Sequence, residues 1–211
     1  MEIIWDEFLY PYSQVVNELK FKFRACRHQY QTADQHSPIE FVTGRVKAVP
    51  SILEKAQRRQ ITLAEIEDNM EDIAGIRIVC QFVEDIYQVL DLIKARGDMK
   101  VISERDYITN RKSSGYRSYH VVVEYPIQLL SGEKLIKVEI QIRTLAMNFW
   151  ATIEHSLNYK YQGAFPLEIA ERLEKAAEAA FSLDTEMSNI RDEIKNAQQI
   201  FKQRTPHNDK D

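Results

Sequence analysis

The sequence predicts a single α/β domain in which helices flank a sheet, and three observations carry that reading. Stretches rich in β-branched and aromatic residues over 76–83, 117–125 and 135–143 read as strands. In the last of them Val138, Ile140 and Ile142 take one face, and Lys137, Glu139, Gln141 and Arg143 the other. Helical patterns sit beside these strands and at both ends of the chain, with no internal repeat and no linker to divide it.

Taken in order, residues 5–30 predict a helix, because Phe8, Tyr12, Val15, Val16, Leu19, Phe23 and Cys26 recur at helical spacing. Residues 31–38 are polar and turn-like, and 41–47 form a short strand. Pro50 suits the first turn of a helix reaching Gln60. Asp72 precedes a strand over 76–83 with Ile76, Ile78, Cys80 and Phe82 on one face. Asp85 is placed to cap a helix that runs to Arg96 and ends at Gly97. A short strand at 100–103 leads to a polar loop, 105–115. The strand 117–125 is expected to stop at Pro126, and Ser131-Gly132 turns the chain into 135–143 as its antiparallel partner. A helix over 145–161, breakers at Gly163 and Pro166, and a long helix from Leu167 to Gln203 complete the domain, 1–203. The tail, 204–211, reads as disordered.

Composition excludes several classes. The chain has 211 residues, 44% hydrophobic and 28% charged, with only six glycines and six prolines, so fibrous or low-complexity architecture is ruled out. The net charge of −4 speaks against a dedicated duplex-DNA binder. No apolar run approaches a membrane span, and the first twelve residues lack the pattern of a signal peptide. Two cysteines, Cys26 and Cys80, form no metal or disulfide framework, and a cytoplasmic protein with reduced thiols is expected.

Three segments carry the chemistry. A carboxylate, an amide and two cations on the polar face of 137–143 suit a cleft better than a solvated sheet, since Glu and Gln are poor strand formers. His120 belongs to the partner strand, after a loop holding Lys112, Gly115 and Tyr116. Tyr116 reads as exposed in this polar loop, and an exposed tyrosine beside a glycine can stack on a base. Arg45 and Lys47 leave a strand end, and Ser51, Lys55 and Arg58 share one face of the next helix, a set that could converge on a polyphosphate. Neither GxxxxGK[ST] nor GxGxxG occurs. Asp72 lies just before a buried strand, where it reads either as an ordinary cap or, with Glu139, as a ligand of a hard cation such as Mg²⁺.

The runs DIAGIRIVCQF (72–82), GYRSYH (115–120), VEIQIRT (138–144) and AMNFWATIEHSLNYKY (146–161) closely resemble the RelA/SpoT-type alarmone synthetase domain. With HSPIEFVTGRVK (36–47), the chain resembles the stand-alone small synthetases of the RelQ type over residues 5–199. The resemblance implies a nucleotidyltransferase (polymerase β-like) fold with a mixed sheet. It implies transfer of the β,γ-diphosphate of ATP to the 3′-hydroxyl of GDP or GTP, with Mg²⁺. It assigns metal binding and catalysis to Asp72 and Glu139, and ATP binding to Arg45, Lys47, Ser51, Lys55, Arg58, Arg77 and Arg105. Lys112, Tyr116, His120, Gln141 and Asn148 are assigned to GDP or GTP. No His-Asp motif of the family's hydrolase domain occurs, so synthesis without hydrolysis is expected.

The resemblance further implies allosteric activation by pppGpp through Lys20, Arg24, Arg27, Glu40, Phe41 and Thr43, with Asn148 shared between the two sites. It also implies a homotetramer. The sequence adds its own reason, a stripe of Leu173, Ala176, Ala180, Leu183, Met187, Ile190, Ile194, Ala197 and Phe201 at steps of three and four. Two alternatives remain beside this reading: a catalytically silent guanine-nucleotide or single-stranded RNA binder, and a nucleotidyltransferase that moves a nucleoside monophosphate.

Overall fold

The computed structural model describes residues 3–161 and 165–204. Gly163 and the tail from 205 lie outside them. Five strands form one mixed sheet in the order β1-β2-β5-β4-β3: β1 Phe41–Val46, β2 Ala74–Cys80, β3 Lys100–Asp106, β4 Tyr119–Leu129 and β5 Gly132–Thr144. β2 and β5 are parallel, and the other pairs antiparallel. The late strand over 135–143 is therefore central, with β2 and β4 as neighbours.

One face of the sheet is the core. Ile76, Ile78, Val121, Val123, Val138, Ile140 and Ile142 are buried there against helix α1 (Trp5–Thr32) and helix α4 (Val83–Lys94). α1 lies close against β1 at Gly44, where a Cβ would stand 2.8 Å from Val16 and 2.9 Å from Ile76 side-chain carbons. Helix α2 (Val49–Arg59) follows β1, with a proline in its first turn as expected, and the short helix α3 (Ile66–Asn69) precedes β2. No helix of the described residues is long and apolar enough to cross a membrane.

Several boundaries differ from expectation. β4 runs through Pro126, which pairs with Leu135. β3 pairs with β4 only as far as Glu124, so the proline sits where one flank of the strand is open and no ladder donor is missed. β3 extends to Asp106 and takes in Arg105, and β2 ends at Cys80, leaving Phe82 at the start of α4. Asp85 lies inside the first turn of α4, not before it. Its Oδ2 reaches back to accept from the Phe82 amide at 3.2 Å. The hairpin turn is the two-residue Leu130-Ser131, with Gly132 opening β5 at a φ of +113°.

Helices α5 (Leu145–Lys160) and α6 (Leu167–Arg204) pack against each other beside the sheet. Trp150 donates its indole N–H to the Leu173 carbonyl at 2.9 Å. Thr144 joins three elements. It ends β5, its Oγ1 accepts the Met147 amide at 3.0 Å to cap α5, and it donates to Asp184 Oδ2 of α6 at 2.6 Å. Burial pushes the Asp184 carboxyl up to about 6, which the Thr144 bond only partly offsets. An acid whose pKa is raised on folding binds protons more tightly in the folded chain, so stability falls as pH rises from about 4 to about 6. Asp184→Asn keeps the contact without the charge. It should raise stability at pH 7 by on the order of 2 kcal/mol and by almost nothing at pH 4, measured by urea unfolding. An equal effect at both pH values would contradict this account of Asp184.

Candidate active site

The opposite face of the sheet is polar and lines an open cleft of about 660 Å³. Strand pairing explains its composition. Arg45 lies opposite Gly75, Thr43 opposite Arg77, Gly75 and Arg77 beside Glu139 and Gln141, and Gln141 opposite His120. All of these line the cleft, as do Asp72, Lys112, Tyr116 and Arg143. Gly75 leaves open the space above it: a Cβ there would meet no atom closer than 3.8 Å, so a bound group can approach the strand.

Asp72 sits in the turn before β2. Its Oδ2 takes Lys47 Nζ at 2.5 Å and Lys55 Nζ at 2.7 Å, while its Oδ1 is buried and has no partner. Burial alone would raise this carboxyl, but the two ammonium groups outweigh it and hold the pKa below the ordinary range. Glu139 shows the same balance. Burial raises it, hydrogen bonds from His120 and Gln141 lower it further, and the carboxylate is ionised at neutral pH. Each carboxylate therefore stays charged in a half-buried place.

The cations divide into two groups. Lys47 and Lys55 are engaged by Asp72. Arg45, Arg77 and Arg143 have no carboxylate within ion-pair distance among the described residues, and Arg77 Nε is buried without a hydrogen-bond partner. Burial and then the charges of Arg143 and Arg45 lower the Arg77 pKa. Guanidinium groups held together without counter-ions favour an anionic ligand.

Tyr116 is half-buried, not exposed as its setting in a polar loop suggests. Gly115 sets it there, with a φ of +86° and no room for a side chain: a Cβ would stand 2.6 Å from Ala177 of α6. Arg111 pairs with Glu174 at 2.7 Å and Arg117 with Glu178 at 3.1 Å, tying both ends of this loop to α6. The Tyr116 ring packs on the Trp150 cluster, and Lys112 Nζ stands 4.9 Å from its centroid. Tyr107 meets His120 edge-on at 5.1 Å.

Other expected site residues stand apart from the cleft lining. Ser51 and Arg58 are exposed on α2. Arg105 pairs with Glu71 at 2.9 Å, opposite His120 in register. Asn148 lies on α5 with a buried, unpartnered Oδ1. Lys20, Arg24 and Arg27 follow α1 along the outer edge of β1, where Arg24 donates to the Val42 carbonyl at 3.3 Å and Arg27 pairs with Glu40 at 3.8 Å. Phe41 and Thr43 share the opposite, cleft-side face of that strand. Arg143, Ser114, Thr152, Glu154 and His155 line the cleft without having been singled out. Arg143 was visible on the polar face of β5. The α5 residues carried a signal only in helical spacing, as Thr152 and His155 lie three apart.

Comparison with known proteins agrees with this geometry. The family described as "Region found in RelA / SpoT proteins" matches residues 44–164. The chain is 61% identical over 197 residues to the GTP pyrophosphokinase YjbM of Bacillus subtilis (strain 168), covering 93% of each. It is 38% identical to the GTP pyrophosphokinase YwaC of the same organism, covering 90% of this chain and 91% of that one. Its fold matches small alarmone synthetase 1 from Bacillus subtilis bound to its product pppGpp, with a TM-score of 0.88, 62% identity and coverage of 90% and 97%. The same protein bound to AMPCPP matches at a TM-score of 0.81 and 57% identity, covering 91% and 98%. The family match takes in β2 to β5 and α5, the elements that build the cleft, and the chain belongs to the RelA/SpoT family.

Proposed function

We propose that this chain is a GTP pyrophosphokinase that transfers the β,γ-diphosphate of ATP to the 3′-hydroxyl of GDP or GTP, giving AMP and ppGpp or pppGpp. One observation carries the reading. Two ionised carboxylates, Asp72 and Glu139, share a cleft with three arginines that have no carboxylate partner among the described residues. Such a site can hold polyphosphates and accept a proton beside them. The likeness to proteins named as GTP pyrophosphokinases, and to structures that hold pppGpp or AMPCPP, supports nucleotides as the occupants.

In this reading Arg45, Lys47, Ser51, Lys55, Arg58, Arg77 and Arg105 serve ATP. Tyr116 stacks on guanine, with Lys112, His120, Gln141 and Asn148 around it. The ribose 3′-oxygen attacks the β-phosphorus. That bond forms as the bond from the β-phosphorus to the α,β-bridging oxygen breaks, and the bridging oxygen leaves with AMP. Glu139 takes the hydroxyl proton, for which its ionised state is the required one. Arginines already in place offset the charge spreading over the phosphate oxygens, and holding both nucleotides in line supplies the rest. The unpartnered, buried Asp72 Oδ1 beside Glu139 fits a hard cation, and these two residues would hold Mg²⁺. Bound there, the metal would neutralise diphosphate charge.

Asp72→Asn and Glu139→Gln preserve size and remove charge. Each should lower turnover by at least about 100-fold while the variants unfold at nearly the wild-type temperature. Turnover within a few-fold of wild type in either variant would contradict the two-carboxylate reading.

We assign regulation to the β1 edge of the cleft and assembly to α6. Lys20, Arg24 and Arg27 with Glu40, Phe41 and Thr43 are read as a site for pppGpp, which activates more than ppGpp because its extra phosphate gives the cations more to hold. Arg24→Ala should abolish stimulation of the initial rate by added pppGpp, and a variant stimulated as strongly as wild type would contradict the assignment. The apolar stripe on α6 divides in two. Leu173 and Ala180 pack on Trp150, whereas Leu183, Met187, Ile190 and Ile194 are 39–53% exposed. That exposed half is read as the seam of a homotetramer in the cytoplasm. Light scattering should give the mass of a tetramer for the wild type and a smaller one for Met187→Lys. A monomeric wild type would remove the claim.

A further inference from the structure

Five residues of the cleft form a closed circuit of hydrogen bonds. Arg143 Nη2 donates to the Tyr116 hydroxyl at 2.6 Å and to Gln141 Oε1 at 2.8 Å. Gln141 Nε2 donates to Glu139 Oε2 at 2.8 Å. On the other arm the Tyr116 hydroxyl lies 2.8 Å from His120 Nε2, and His120 Nδ1 lies 3.2 Å from Glu139 Oε1. We propose that Arg143 is a positioning residue that, through this circuit, holds the Tyr116 ring and the Glu139 carboxylate in one fixed relation.

The donor count gives the circuit a direction. Nη2 carries two hydrogens, and both are used. Because the Tyr116 oxygen accepts from Arg143, its own proton is available to His120 Nε2. For a neutral imidazole those partners fix the tautomer, with the proton on Nδ1 donated to Glu139. Because Gln141 Oε1 accepts from Arg143, its amide group is turned to donate to Glu139. Both arms therefore start at one guanidinium and end on the two oxygens of one carboxylate.

The placement of Arg143 suits this task. It is 4% exposed, and Nε donates to Ser118 Oγ at 3.3 Å, which itself bonds to the Ile142 carbonyl at 3.3 Å. It has no ion-pair partner among the described residues, so what holds it is a set of oriented neutral groups. A guanidinium fork can serve two acceptors at fixed angles, whereas an ammonium group is a point charge on a flexible stem. The inference rests on the proposed function, in which Tyr116 holds guanine and Glu139 takes the 3′-hydroxyl proton. The distance from base to 3′-oxygen in a nucleotide is nearly constant. A site that grips the base and must meet the 3′-oxygen therefore needs its two contacts fixed relative to each other.

The test is a double-mutant cycle of Arg143→Lys and Tyr116→Phe, with initial rates measured while ATP and GDP are varied separately. Arg143→Lys keeps the charge and loses the fork. It should lower kcat by about 100-fold with the KM for ATP within twofold of wild type. Tyr116→Phe keeps the stacking ring and the arginine but opens one arm. It should lower kcat by about tenfold with little change in the KM for GDP, and it reports on the circuit even if Arg143→Lys does not fold. The double variant should be no worse than Arg143→Lys alone. Three results would overturn the proposal: effects that multiply in the double variant, wild-type kcat in Tyr116→Phe, or a loss in Arg143→Lys expressed mainly as a raised KM for ATP. The last would make Arg143 a phosphate clamp. A wild-type protein that makes no 3′-diphosphorylated guanosine would overturn the proposed function and this inference with it. An active wild type with any of the three results would overturn the inference alone.

Discussion

The two-residue period of a central strand is the constraint on which this molecule depends. β5 is hydrogen-bonded on both flanks, by β2 and by β4, so its register cannot shift without breaking two ladders. Val138, Ile140 and Ile142 are fully buried in the core, and the residues that alternate with them, Glu139, Gln141 and Arg143, face the cleft. A slip of one residue would bury three polar side chains and expose three aliphatic ones. The packing that stabilises the fold is thus what holds the reactive carboxylate in place.

Neighbouring strands extend the same division. Arg77 and Gly75 on β2 and His120 on β4 lie at register positions beside Gln141 and Glu139, so the site is assembled across strands, with Asp72 and Tyr116 added from the segments that lead into β2 and β4. The cleft keeps opposite charges in separate, half-buried places: Asp72 holds two lysines, Glu139 is held by an imidazole and an amide, Arg143 is engaged by Tyr116 and Gln141, and Arg45 and Arg77 remain open to a ligand. α6 closes the arrangement from outside through Asp184 on Thr144 and Glu174 and Glu178 on the loop that carries Tyr116.

Much of this is legible in the sequence. The alternation over 137–143 divides core from cleft and puts Glu139 on its polar side, whereas Asp72 reads as either a cap or a ligand until the family resemblance singles it out. What escaped depends on contacts remote in sequence. Pro126 reads as a strand end because the open flank beside it follows from where β3 stops. Tyr116 reads as exposed because Ala177, which presses on Gly115, is some sixty residues away. Arg143 is visible on the polar face, but two of its partners, Tyr116 and Ser118, belong to the loop that leads into β4. The stripe on α6 reads as unbroken, but Trp150 takes Leu173 and Ala180 out of it, while Ala176, Leu183, Met187, Ile190 and Ile194 stay exposed.

The central claim is that this polar sheet face brings a ribose 3′-hydroxyl to the β-phosphorus of ATP. Incubating the protein with GDP, Mg²⁺ and ATP labelled at the β-phosphate, then separating the nucleotides, tests it most directly. The account requires the label to pass to a 3′-diphosphorylated guanosine while unlabelled AMP is released. Label released as pyrophosphate, with the adenylyl group joined to the acceptor, would contradict it.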